Sequence, residues 1–211
     1  MRESEHEATV RVRRELRTKS PLQRIIEEGL RYGRKGFARI VELSPSQLNL
    51  SWITTSLAVG GAFHNHHVPR LRQMGITAVV DCREEASDDE LALARNGIDF
   101  LRLPTPDAHT LSQESLDRGV DWVRKQIVRG AKVYVHCSHG VGRAPELGSC
   151  VLVAEGHPAD VALQIVCARR WQASPNEEQV LGLLEYAERH RKRAQTLPPG
   201  DDLTPSSLDE G

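Results

Sequence analysis

The chain has 211 residues, 39% apolar and 27% charged, with 28 Lys and Arg against 29 Asp and Glu. That is the size of one domain with extensions, large enough to bury a core without disulfide staples. A net charge of −1 excludes a bulk electrostatic grip on nucleic acid, and no apolar run approaches the roughly 20 residues of a membrane-spanning helix. The N-terminus lacks the apolar core of a secretory signal, and Glu3, Glu5, Glu7 and Glu15 do not suit a transit peptide. Four cysteines without a CxxC pair fit a reduced, cytoplasmic setting.

Residues 1–47 read as a charged N-terminal extension. Within it, Leu22, Ile25, Ile26, Leu30, Phe37, Ile40 and Val41 recur at helical spacing after Pro21, which predicts an amphipathic helix over 21–43. Its apolar stripe suits packing on the main domain. Contact with a membrane surface is the weaker alternative, because the polar face carries little net positive charge.

The main domain is expected over 48–193. Short runs rich in Val, Ile and Leu predict strands at 56–60, 77–81, 99–103 and 132–136. Helical patterns fall at 68–74, 88–96 and 112–129, then at 144–155, 158–169 and 175–191. Pro158 suits a first helical turn, and Ser174-Pro175-Asn176-Glu177 reads as a capping box with the serine as cap. Strands alternating with helices make this an α/β domain, a central sheet flanked by helices, with the extra N-terminal helix before it. Residues 194–211 read as an acidic, disordered tail containing Pro198, Pro199, Gly200 and Pro205.

The stretch that carries chemistry runs from Val133 to Arg143: Val-Tyr-Val-His-Cys-Ser-His-Gly-Val-Gly-Arg. The β-rich start delivers Cys137 to a strand end. Gly140 and Gly142 permit a tight loop, and an apolar helical run follows. Strand, glycine loop and helix aim successive backbone N–H groups at an anion, with a helix N-terminus behind them. The amides of Ser138, His139, Gly140, Val141 and Gly142, together with the planar fork of Arg143, suit the oxygens of a phosphate. The same surroundings favour the thiolate form of Cys137. Nucleophilic attack, a phosphocysteine intermediate and hydrolysis follow from that arrangement. Asp107, in a loop marked by Pro104 and Pro106 after the third predicted strand, is a candidate general acid, with His109 as its competitor. His136 points to the opposite side of its strand from Cys137; a hydrogen bond that orients the loop is its expected role.

His136-Cys137-x-x-Gly140-x-x-Arg143 resembles the signature of the cysteine-dependent dual-specificity phosphatases. The likeness runs roughly from Trp52 to Tyr186 and includes Leu57-Ala58-Val59-Gly60-Gly61, the Asp107 loop and Ser174-Pro175-Asn176. It implies a dual-specificity-phosphatase-like sheet and hydrolysis of phosphomonoesters, phosphorylated protein foremost, with no metal and no cofactor. It also implies Cys137 as nucleophile, Arg143 as phosphate clamp and Asp107 as general acid. One departure matters. The usual Ser or Thr after the arginine is Ala144, followed by Pro145. Without that hydroxyl, phosphocysteine breakdown is expected to slow. The run Gly142-Arg143-Ala144-Pro145 is similar to that of the phosphatases of regenerating liver and some plant glucan phosphatases. In the former, a cysteine placed like Cys82 pairs reversibly with the catalytic one, so Cys82 is a candidate redox partner beside a plain buried-thiol reading. A slow module that binds a phospho-ligand or partner, and a phospholipid phosphatase, are the alternative functions.

Two further features complete the reading. His64-Asn65-His66-His67 is expected to be a polar loop leading into a helix rather than a metal site, since no spaced partner ligand is evident. Arg169-Arg170-Trp171 reads either as a basic rim beside the active site or as a surface helix end. Cys150 and Cys167 fall in apolar helical patterns and are assigned to the core.

Overall fold

In the computed structural model the described residues are 48–196. The helix expected over 21–43 and the tail beyond 196 lie outside them. Five strands form one sheet: β1 (Leu50–Trp52), β2 (Leu57–Gly60), β3 (Ile76–Arg83), β4 (Asp99–Thr105) and β5 (Lys132–His136), in the order β1-β2-β5-β3-β4. β1 runs antiparallel to β2, and the other neighbours are parallel. Six helices follow or separate them: α1 (Val68–Gln73), α2 (Glu90–Arg95), α3 (Gln113–Val128), α4 (Arg143–Ala154), α5 (Ala159–Arg169) and α6 (Glu177–Thr196). None of the described helices is long and apolar enough to cross a membrane.

The inner strands β2, β3 and β5 are buried on both faces along most of their length, so their near-continuous apolar runs are what such strands require, whereas β4 at the sheet edge leaves Asp99, Arg102 and Pro104 exposed. Successive residues alternate between two cores. Leu57, Val59, Val80, Val133 and Val135 pack in the larger core with Leu116, Val120, Leu147 and Leu163 from the helices. Ala58, Val79 and Tyr134 face the smaller core, closed by Val68, Leu71 and Leu93. β5 lies between β2 and β3, so the strand that delivers Cys137 is the central one of the sheet, paired on both sides. Cys150 is fully buried and Cys167 packs against the same core.

Local chemistry departs from expectation at three places. α6 starts two residues later than Pro175, because Asn176 is its cap: the Gln179 N–H donates to Asn176 Oδ1 (3.0 Å) and the Asn176 N–H to Gln179 Oε1 (3.0 Å). The capping box is thus Asn176-x-x-Gln179, one of the same chemistry as the predicted one but out of register with Ser174. Pro158 is the residue before α5, extended at φ −57° and ψ 148°, rather than part of its first turn. Residues 194–196, expected in the tail, continue α6.

Candidate active site

β5 ends at His136, and Cys137 opens the loop to α4 with 3% of its surface exposed. The scaffold takes up the loop's carbonyls one after another. Ser138 O accepts from the Ala62 N–H (3.0 Å) and Val141 O from the Ser174 N–H (2.8 Å). His139 O and Gly140 O accept from Arg170, at 2.9 Å from Nη2 and 2.6 Å from Nε. A trans peptide points its C=O and the following N–H in opposite directions. Four outward carbonyls therefore turn the N–H groups of residues 139–142 inward, toward the sulfur. The Gly140 N–H donates to Cys137 Sγ at 3.3 Å. Gly140 makes this turn at φ +68°, a left-handed conformation that L side chains resist.

Arg143 is the first residue of α4 and 1% exposed. Its Nη1 donates to Thr105 O (2.6 Å) and Glu85 Oε2 (2.9 Å); its Nη2 donates to Glu85 Oε1 (2.8 Å) and Asp107 Oδ1 (2.7 Å). Ser138 Oγ also lies 3.2 Å from Nη2 and donates to Glu85. Burial alone would weaken the charge on Arg143, but Glu85, with Cys137 and Asp107, holds its proton more tightly than usual. In return the Arg143 hydrogen bonds hold the Glu85 carboxyl well below the usual carboxylate range. The sulfur, the guanidinium and the Asp107 carboxylate thus meet at the carboxyl ends of β5 and β4, the end of a parallel sheet where ligands bind.

The Asp107 side chain is 69% exposed on its loop, and the loop itself is strapped down. Ala108 O accepts from Asn176 Nδ2 (2.6 Å), His109 O from Gln179 Nε2 (3.0 Å), and the Thr110 N–H donates to Glu178 Oε1 (3.2 Å). His109 turns its Nδ1 toward the Asp107 carbonyl (3.0 Å) rather than into the cradle.

The bond expected from His136 to the loop is not formed. The His136 ring lies on the other face of the sheet, with Nε2 2.7 Å from Asp88 Oδ2. Asp88 also accepts from Arg83 Nη2 (2.7 Å), which pairs with Asp81 at 2.8 Å. This network anchors the β3–α2 connection that carries Glu85. Among the described residues, Asp81, Asp88 and His136 are also the ligating side chains close enough together for a cation, but the Arg83 guanidinium already lies between the two carboxylates. The histidines at 64–67 form a stacked cluster in a short 3-10 turn leading into α1.

Cys82 is fully buried on β3. The register pairs Asp81 with His136, so Cys82 stands beside Cys137 on the face toward α4. Burial, reinforced by Cys137, pushes its thiol well above the ordinary value. Arg170 does cap the end of α5, its N–H donating to Val166 O, but it is not a surface residue. It is fully buried and spans from the loop carbonyls to Asn49 Oδ1 (2.8 Å). Only its neighbours are on the surface, Trp171 being 53% exposed. Sequence reasoning also missed Glu85; the one available signal was an acidic residue just past the end of a parallel strand.

A family model described as "Polymorphic toxin system, DSP-PTPase phosphatase" matches residues 58–157. Dual specificity protein phosphatase 5 of Rattus norvegicus is 29% identical over 136 residues, covering 62% of this chain and 33% of that protein; the chain spans about a third of its length. Protein tyrosine phosphatase type IVA 2 of Mus musculus is 28% identical over 131 residues, covering 61% of this chain and 77% of that one. The crystal structure of Tk-PTP in the active form superposes with a TM-score of 0.63 at 26% identity, covering 67% of this chain and 97% of the other. With the sheet, the cysteine–arginine loop and these likenesses together, the chain is similar to the cysteine-dependent dual-specificity phosphatases of the protein tyrosine phosphatase superfamily.

Proposed function

We propose that this protein hydrolyses phosphomonoesters, with phosphorylated side chains of proteins as the substrate class, through a phosphocysteine intermediate in a reduced, cytoplasmic setting. The observation that carries the reading is the convergence in one cradle of Cys137 Sγ, the Gly140 N–H at 3.3 Å, and an Arg143 guanidinium bound to Asp107 at 2.7 Å. The protein relatives named above act on proteins by their names, which supports the substrate class.

The phosphate enters against the inward N–H groups of the loop. Every terminal N–H of Arg143 already has a partner, so the incoming dianion takes Nη2 from Asp107 and uses the remaining Nε–H beside it. That exchange frees the Asp107 carboxylate, which takes up a proton from solvent and turns toward the leaving oxygen. The Cys137 thiolate attacks phosphorus: an S–P bond forms, the P–O bond breaks, and the leaving oxygen takes the Asp107 proton. In the second step the Asp107 carboxylate takes a proton from water. The water oxygen attacks phosphorus, the S–P bond breaks, and thiolate and inorganic phosphate result. The chain supplies nucleophile, clamp and acid, so turnover needs no metal.

Hydrolysis of an aryl phosphate that persists in EDTA and disappears in Cys137→Ser supports the reading; dependence on a divalent cation, or activity retained by the serine variant, contradicts it. A slower, binding-dominated role is favoured by one feature. Ala144 is fully buried in the first turn of α4 and carries no hydroxyl to stabilise the departing thiolate. Ala144→Ser should then speed breakdown of the intermediate, measured as a smaller burst relative to the steady-state rate.

A further inference from the structure

We propose that Glu146 is a positioning residue for the Asp107 loop, a strap that sets the loop's height over the phosphate cradle. The inference rests on the phosphatase reading and adds a residue to it.

Glu146 lies one helical turn beyond Arg143 on α4 and is 1% exposed. Burial of a carboxyl is costly unless its oxygens are satisfied, and both are spent on the Asp107 loop. Oε1 binds the Thr110 hydroxyl, and Oε2 accepts from the Leu111 N–H at 3.2 Å. Asp107 and Thr110 are three residues apart, as are Arg143 and Glu146. The first turn of α4 therefore holds the acid loop at two points, by an ion pair at Asp107 and by the strap at Thr110 and Leu111.

The third element at this contact makes room for it. Gly182, in the interior of α6, faces the strap: a Cβ there would stand 2.7 Å from Glu146 Oε1 and would overlap the Thr110 hydroxyl. An interior helical glycine is intrinsically unfavourable relative to alanine, and here its missing side chain is the space the strap occupies. The titratable groups facing Glu146 are Glu178 on α6, Cys82 on β3 and Cys150 on α4. None of them is a cation that would pair with it, so its bonding is directed to the loop. Burial pushes its carboxyl up to about 8, so glutamine is the close mimic of the form present at neutral pH.

A general acid matters most when the leaving group is a poor one. The test is kcat and KM for p-nitrophenyl phosphate and phenyl phosphate in the full chain, its Glu146→Ala, Glu146→Gln and Thr110→Val variants, and Asp107→Asn as reference. Amide exchange of residues 107–111 is followed in parallel. Glu146→Ala and Thr110→Val should lose about tenfold more kcat with phenyl than with p-nitrophenyl phosphate, in the pattern of Asp107→Asn, with KM little changed. Exchange at Leu111 should quicken, and Glu146→Gln should restore both readouts. Equal losses on the two substrates, or unchanged exchange, in a folded variant overturn the proposal. If Glu146→Ala does not fold, Thr110→Val decides by the same criteria. A parent protein that turns over neither substrate refutes the phosphatase reading, and Leu111 exchange then decides the strap alone.

Discussion

Gly140→Ala perturbs the cradle at its pivot. Gly140 donates its N–H to Cys137 Sγ and offers its carbonyl to Arg170 Nε, so its backbone orientation sets both sides of the loop. At φ +68° an alanine costs about 1 kcal/mol for the left-handed conformation alone. Its Cβ would lie 2.5 Å from Arg170 Nη2 and closer than 3.0 Å to the Gly60 carbonyl. Gly60 cannot yield easily, because it pairs with Leu50 on one side and His136 on the other. Relief of such overpacking costs roughly 1–3 kcal/mol more. The sum, about 2–4 kcal/mol, lowers the melting temperature of a domain this size by roughly 5–12 °C. Any relief that moves residue 140 also moves the N–H on the sulfur, and a displacement near ~1 Å costs on the order of 100-fold in rate. Thermal melting by circular dichroism and kcat/KM on an aryl phosphate measure the two effects. A variant with the parent's melting temperature and rate would refute the reasoning, since it would mean that the loop tolerates a side chain where its backbone meets β2.

Glu146 makes stability depend on pH. Its folded carboxyl is raised to about 8 by burial, above the ~4.3 of an unfolded glutamate, so the native state holds the proton more tightly and stability falls as pH rises between those values. Glu146→Gln has no proton to lose. It should melt above the parent at pH 8–9, by up to about 4 kcal/mol, with the gap closing toward pH 5; a gap that does not vary with pH contradicts the burial argument. Glu85→Ala removes two charge-assisted hydrogen bonds from Arg143. The freed guanidinium should lose its fixed geometry, lowering kcat/KM by roughly 10- to 100-fold with little change in melting temperature, because Glu85 is 42% exposed. A parent-like kcat/KM would show that Thr105 and Asp107 suffice to orient the clamp.

What the sequence discloses and what it hides divide along the range of the interactions. The inner parallel strands are legible because burial on both faces forces unbroken apolar runs, as in Val133-Tyr134-Val135. β1 escapes because Leu50-Ser51-Trp52 is too short to show a period. The nucleophile and clamp are legible because one loop of seven residues contains both. Their supports are not. Arg170 reaches the loop from 30 residues away, Glu85 meets Arg143 from 58 residues away, and apart from Glu85's place just past a strand end nothing local distinguishes them from surface charges. Glu146 sits in a run that reads as an apolar helix face, and its burial follows only from the Thr110 segment folding onto it. The shift of the cap from Ser174 to Asn176 has the same origin: both positions have capping chemistry, and the Val141 carbonyl claims the Ser174 N–H.

The central claim is that Cys137 carries the phosphoryl group between two chemical steps. Rapid acid quench of the parent protein during turnover of an aryl phosphate, followed by intact-mass and peptide analysis, measures this directly. The account predicts an added phosphoryl group on the peptide containing Cys137, formed faster than it is lost and absent in Cys137→Ser. Steady turnover with no adduct, or with the phosphoryl group on another side chain, would contradict it.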